Sequence, residues 1–383
     1  MSVLQKIVIK SKLRYAFKKA SIFTSYKKGT ETYLRRPKIH HVDVKEKYVE
    51  IVFTLPNGFN PEEMLSKRYV LQQVFGRNLT LEGDLKKFVL KLYFKGLPKE
   101  VTYRREELEE LCQGIPLPIV CGKDLNGEHV VYDANLSPHL LVSGETGSGK
   151  SSLLRVILTT LILSKPVEEV QFILGDLKRS EFGLFRNQSH VRGVYVSPKE
   201  LLAALKKVNA EILKRGDLLD EHEVTHVEDL PMKVPYIIVA IDEVALLKGE
   251  SAIMNIIDNI GAVGRSLGVQ LILSMQRPDH KLLEGKLKNN LTVRISGRQS
   301  NKTNANIAGA EDAHMIKISE KGRMILNLEK LIELQSPWLS YQKAKKLLVP
   351  FKTIPTEKGA EVKEKKLLET LPENLLNEED IIL

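Results

Sequence analysis

The chain has 383 residues, 43% hydrophobic and 28% charged, with a formal net charge of +10. That length and apolar content support a sizeable core divided into two or three units. No apolar run reaches the roughly 18–20 uncharged residues of a membrane span, because the longest candidate, around 153–163, is interrupted by Arg155.

The amino terminus, "MSVLQKIVIK", mixes charged and apolar residues without a signal-type apolar region or cleavage site, so the expected location is the cytoplasm. Residues 1–40 carry eleven Lys/Arg against the single acid Glu31. Such a basic arm points to a polyanionic partner, either nucleic acid or an anionic membrane face, or else to a solvated, poorly ordered lead segment. In "KYVEIVFTLPNGFNPEEML" a strand, a Pro-Asn-Gly turn and a helix start follow one another, and "KKFVLKLYF" reads as a second strand. These define a small α/β module at 41–111. Cys112 and Cys121 lack metal-type spacing and read as ordinary buried thiols. From 112 to 355 the apolar runs "HLLVSG", "VQFILGD", "VPYIIVAIDE" and "GVQLILSMQ" alternate with helical patterns. Continuous apolarity marks strands covered on both faces, so a mostly parallel sheet with helices on both sides is expected. A charged tail, 356–383, closes the chain.

Three sites in this region carry chemistry. "GETGSGKS" fits Gly-x-x-x-x-Gly-Lys-Ser across Gly144, Glu145, Thr146, Gly147, Ser148, Gly149, Lys150 and Ser151, with Ser152 next, between a strand and a helix. Glycines let successive N–H groups face a phosphate, Lys150 reaches the β/γ oxygens of ATP and the Ser151 hydroxyl joins the Mg²⁺ shell. A plain glycine-rich turn is the alternative. "YIIVAIDE" ends in Asp242, suited to the Mg²⁺ water shell, and Glu243, suited to orienting and deprotonating a lytic water. The alternative there is a strand leaving the core through a solvated acidic pair. "LILSMQRP" ends in Gln276, able to bond both a γ-phosphate and that water, or simply a polar strand end.

Together with "GKDLNGEHVVYD", "GDLKRSEF", "GRSLGVQLILSMQRPD" and "AGAEDAHMI", these stretches make 121–325 resemble the motor domain of the FtsK/SpoIIIE family of DNA translocases, within the wider HerA group. The resemblance implies a RecA-like P-loop NTPase fold, ATP and Mg²⁺ as cofactors, a hexameric ring and duplex DNA through its centre. It also implies that Arg265 reaches a neighbouring subunit's ATP, and that Arg277, Lys288, Arg298 and Lys302 face DNA. "RISGRQSNKTN" departs from the family pattern, with Ser300 and Lys302 where Asp and Arg are usual, leaving its register ambiguous. The expected function is an ATP-driven DNA motor of the type encoded on plasmids or conjugative elements, with a relaxase or other mobile-element protein as partner. A protein-secretion ATPase of type VII kind and a non-motor DNA-dependent ATPase are the alternatives.

Overall fold

The computed structural model describes residues 3–280 and 286–353, so the expected tail at 356–383 lies outside the described residues. The chain divides into two compact units, Met1–Thr160 with Met275–Leu339, and Leu161–Ser274 with Ser340–Leu383. Among the described residues no helix is long and apolar enough to cross a membrane.

The first unit begins with helix Val3–Lys19 and the hairpin Thr24–Lys28/Glu31–Arg35. An antiparallel sheet follows, with strands in the order Lys38–Val44, Tyr48–Thr54, Lys87–Tyr93 and Leu79–Gly83. In Tyr48–Thr54, Val49, Ile51 and Phe53 point inward at the two-residue period of a strand. They meet Leu13, Ala16 and Phe17, which recur every three or four residues along one face of the first helix. The rings of Phe17 and Phe53 lie 5.0 Å apart. Residues 3–40 therefore do not form a loose lead segment: helix Val3–Lys19 shares the core of the following sheet, and strand Lys38–Val44 runs through position 40. The ion pairs Lys47–Glu128 (3.2 Å), Arg68–Asp312 (3.5 Å) and Lys330–Glu82 (2.7 Å) join this module to the rest of the unit.

The remainder of the first unit is a sheet in which Leu140–Ser143 pairs in parallel with Val293–Ser296. Next in order come Arg323–Asn327, Leu331–Gln335, Pro118–Lys123 and His129–Asp133, all antiparallel. Short turns at 328–330 and 124–128 dictate this for the pairs Arg323–Asn327/Leu331–Gln335 and Pro118–Lys123/His129–Asp133, since a parallel pair needs a long crossover. The second unit meets the parallel expectation fully. Its strands run Val191–Tyr195, Val170–Asp176, Tyr236–Asp242, Val269–Met275, every neighbour parallel. Helices Pro198–Glu221 and Ser251–Val263 supply crossovers, and every residue of Val269–Met275 is buried.

Candidate functional site

In the first unit the buried strand Leu140–Ser143 runs into the loop 144–149 and helix Lys150–Ser164. Gly144, Gly147 and Gly149 have φ of +146°, +82° and +107°, which L side chains rarely adopt. A Cβ on Gly144 would fall 2.5 Å from Ser148 Oγ, and one on Gly149 would fall 2.8 Å from Gly322 Cα. The backbone thus has to be bare where it curls. Ser148 and Lys150 are buried, Ser151 is partly buried, and Thr146 and Gly147 are exposed. Helix starts leave N–H groups without intrahelical acceptors, and here they open onto the curled loop, a geometry that fits the phosphates of a nucleotide. Ser152 is tied to a distant segment of the unit. Its buried hydroxyl donates to Pro337 O (3.5 Å) and accepts from Leu339 N–H (3.4 Å), so only its backbone N–H is left for a phosphate.

The loop's other wall is residues 297–299. Gly297 N–H donates to Ser143 O (2.9 Å), Glu145 N–H donates to Arg298 O (3.1 Å), and the Arg298 guanidinium forms an ion pair with the Glu145 carboxylate. Beneath it, Gln299 is fully buried and its amide donates to the hydroxyls of Ser296 (3.0 Å) and Ser143 (3.3 Å). Arg298, expected to face DNA, is thereby turned onto the phosphate loop. Lys302 opens helix Lys302–Ile307, capped by Asn301, and is exposed, as are Arg277 and Lys288.

In the second unit, Asp242 ends a strand buried from Ile237 onward and accepts 2.6 Å from the hydroxyl of Ser274 on the neighbouring strand. The adjacent Glu243 is in the left-handed region (φ 59°, ψ 58°), buried, with its carboxylate 2.6 Å from Lys178 Nζ. Asp176, aligned with Asp242 across the strands, accepts from the N–H groups of Ser180 (3.0 Å) and Phe182 (3.0 Å), and so folds the turn that carries Lys178. Gln276 directly follows the strand Val269–Met275 and is partly buried.

Arg265 is exposed on the tight loop 264–268. Gly264 N–H donates to Ile260 O (2.7 Å), Val269 N–H donates to Gly264 O (2.8 Å), and Gly268 has φ +66°. The loop is anchored by Arg215, fully buried, which donates to Leu267 O (2.7 Å), Pro235 O (2.8 Å) and Glu211 Oε1 (3.0 Å). Burial lowers the Arg215 pKa, and the adjacent Glu211 opposes that shift.

Residues 113–234 match the model of the FtsK/SpoIIIE family. The DNA translocase FtsK of Helicobacter pylori strain J99 is 29% identical over 289 residues, covering 71% of this chain and 34% of that protein. FtsK of Borreliella burgdorferi is 32% identical over 226 residues, 55% of this chain and 28% of that protein. The chain carries a segment of the FtsK/SpoIIIE type. It spans about a third of the length of these relatives. Among solved structures, the pCW3 conjugation coupling protein TcpA with ATPγS superposes with a TM-score of 0.60 at 23% identity, covering 88% of this chain and 98% of that one. The cytoplasmic domain of the Thermomonospora curvata type VII secretion ATPase EccC gives 0.56 at 24%, covering 63% and 32%. The fold is therefore the α/β fold of P-loop ATPases.

Sequence reading missed Lys178, Ser274, Gln299 and Arg215. Lys178 stood in the family-like "GDLKRSEF" without a role, and its partner lies 65 residues away. Arg215 sits in an amphipathic helix, where an arginine ordinarily reads as surface.

Proposed function

We propose that this chain is the motor subunit of an ATP-driven DNA translocase that works as a hexameric ring on double-stranded DNA, in transfer or processing of a plasmid or conjugative element. The observation that carries the reading is the divergent acidic pair. Asp242 is held by Ser274, while Glu243 is turned away in a strained conformation beside Lys178, in a chain that also carries a glycine-curled phosphate loop. Bound MgATP supplies a phosphoryl group whose charge must be neutralised during its transfer to water. Lys150 and the N–H groups of 147–152 serve as its cradle, Ser151 and Asp242 as the Mg²⁺ holders, Glu243 as the residue that orients water and accepts its proton, and Gln276 as the reporter of the γ-phosphate. Arg265, exposed on a rigid loop, suits action on a neighbouring subunit's nucleotide.

DNA as the track is supported by the two FtsK translocases at 29% and 32% identity. The conjugative setting is supported by the likeness to TcpA across 98% of its solved chain. A type VII secretion role rests on a partial superposition with EccC and is the second reading. The deciding assay measures ATP turnover with no nucleic acid, duplex DNA, single-stranded DNA or a secretion-type peptide, alongside displacement of a triplex strand. Duplex-stimulated turnover with displacement is expected. Turnover indifferent to DNA refutes the motor reading.

A further inference from the structure

Helix Val3–Lys19 has two apolar faces. One, with Leu13, Ala16, Phe17 and Ala20 near its C-terminal end, is buried in the N-terminal module. The other faces solvent: Leu4 is 74% exposed, Ile7 58%, Val8 51% and Tyr15 54%. At about 100° per residue these four fall within roughly 100° of arc, opposite the buried face. Exposed Lys12, Arg14 and Lys19 border the stripe and exposed Lys18 lies within it, whereas Lys6 and Lys10 fall on the side of the buried face and are half-buried; the helix has no acidic residue. Lys19 lies over the Tyr15 ring at 5.6 Å. The following hairpin continues the composition, with Tyr26, Tyr33 and Leu34 exposed among Lys27, Lys28 and Arg35.

We propose that this helix is a peripheral docking element for an anionic lipid surface, lying in the plane of the interface with Leu4, Ile7, Val8 and Tyr15 among the acyl chains and the lysines at the headgroups. Charge complementarity selects that occupant. A DNA backbone would satisfy the cations and leave the apolar stripe in water. A second copy of the same helix would cover the stripe but set Lys12, Arg14, Lys18 and Lys19 against the same four cations. An anionic bilayer meets both demands, apolar burial and electrostatic attraction. The proposal is independent of the DNA-motor reading, because none of these residues belongs to the nucleotide site.

The test is co-sedimentation of the full chain with vesicles of phosphatidylcholine alone or with about one-third phosphatidylglycerol, with duplex DNA binding measured in parallel. Binding at least about tenfold tighter to the anionic vesicles is expected, weakening as salt rises. Ile7→Ser/Val8→Ser and Ile7→Glu/Val8→Glu, both on the solvent face and so sparing the Leu13 and Phe17 core, should each weaken vesicle binding about tenfold or more. Both should leave duplex binding as in the wild type. Wild-type binding that is equal on both vesicle types, or absent, overturns the proposal. Loss in the Glu pair but not the Ser pair leaves only electrostatic attraction and also overturns it. Loss of duplex binding with vesicle binding retained would reassign the helix to nucleic acid.

Discussion

Glu243 is a long side chain in a backbone region that costs an L-residue about 1–2 kcal/mol, at the end of a strand where an extended conformation was available. The left-handed turn separates two adjacent carboxylates, sending one to Ser274 and the other to Lys178. Strain of this kind persists where the arrangement has a use. Lys150→Ala should therefore abolish turnover, by about 10²–10³-fold, and weaken binding of a fluorescent ATP analogue, whereas Glu243→Gln should bind the analogue normally and fail to cleave ATP. A Glu243→Gln protein hydrolysing at the wild-type rate would remove it from the water-activating role. Lys178 positions that carboxylate, so Lys178→Ala should lower kcat about tenfold with the nucleotide Kd unchanged, and Lys178→Arg should recover part of the loss. A loss of equal size in both variants, or a shift in Kd alone, would mean that Lys178 merely holds the turn together.

At the scale of elements, two loops carry charges whose surroundings set their use. The loop bearing Arg265 is pinned by Arg215, which donates to Leu267 O (2.7 Å) and Gly268 O (3.4 Å) and is itself held by Pro235 O and Glu211, so the exposed Arg265 guanidinium has a fixed base. If it acts across a subunit boundary, Arg265→Ala subunits should bind ATP yet turn over poorly. Mixing them with Lys150→Ala subunits should restore a fraction of activity, and verified mixed assemblies that stay inactive would argue against action in trans. The 297–302 segment behaves differently, because its Arg298 neutralises Glu145 on the phosphate loop. Arg298→Ala would leave that carboxylate facing phosphates, and nucleotide affinity should fall between about threefold and tenfold, with Glu145→Gln in the same chain restoring it. Lys302→Ala, at an exposed helix start, should instead reduce stimulation by DNA at unchanged nucleotide affinity.

Across the whole molecule, legibility followed how local the information was. Val170–Asp176, Tyr236–Asp242 and Val269–Met275 were readable because strands covered on both faces are apolar at nearly every position. The phosphate loop was readable because its three glycines, Lys150 and Ser151 fall within eight consecutive residues. The packed role of helix Val3–Lys19 was not, since its inward residues are interleaved with six bases and its apolar content is split between two faces. Nor could spacing reveal pairings such as Lys178 with Glu243 or Arg298 with Glu145, which depend on chain segments returning from far along the sequence.

That long return has a consequence for the order in which the protein takes shape. All four parallel strands of the second unit lie within residues 170–275, a stretch that can pair as soon as it exists. The phosphate loop must wait. Its strand Leu140–Ser143 pairs with Val293–Ser296, and Ser148 O accepts from Gly322 N–H at 2.8 Å, so the loop's walls come from residues made 153 (293 − 140) to 174 (322 − 148) positions later. Closing so large a loop delays pairing. In pulse-labelled hydrogen exchange during refolding, amides of Val170–Asp176 and Tyr236–Asp242 should gain protection before those of Leu140–Ser143, and simultaneous protection would contradict this order. A nascent chain would then hold a complete parallel half-sheet well before it could grip a nucleotide, making ATP binding a late event in the life of each new molecule.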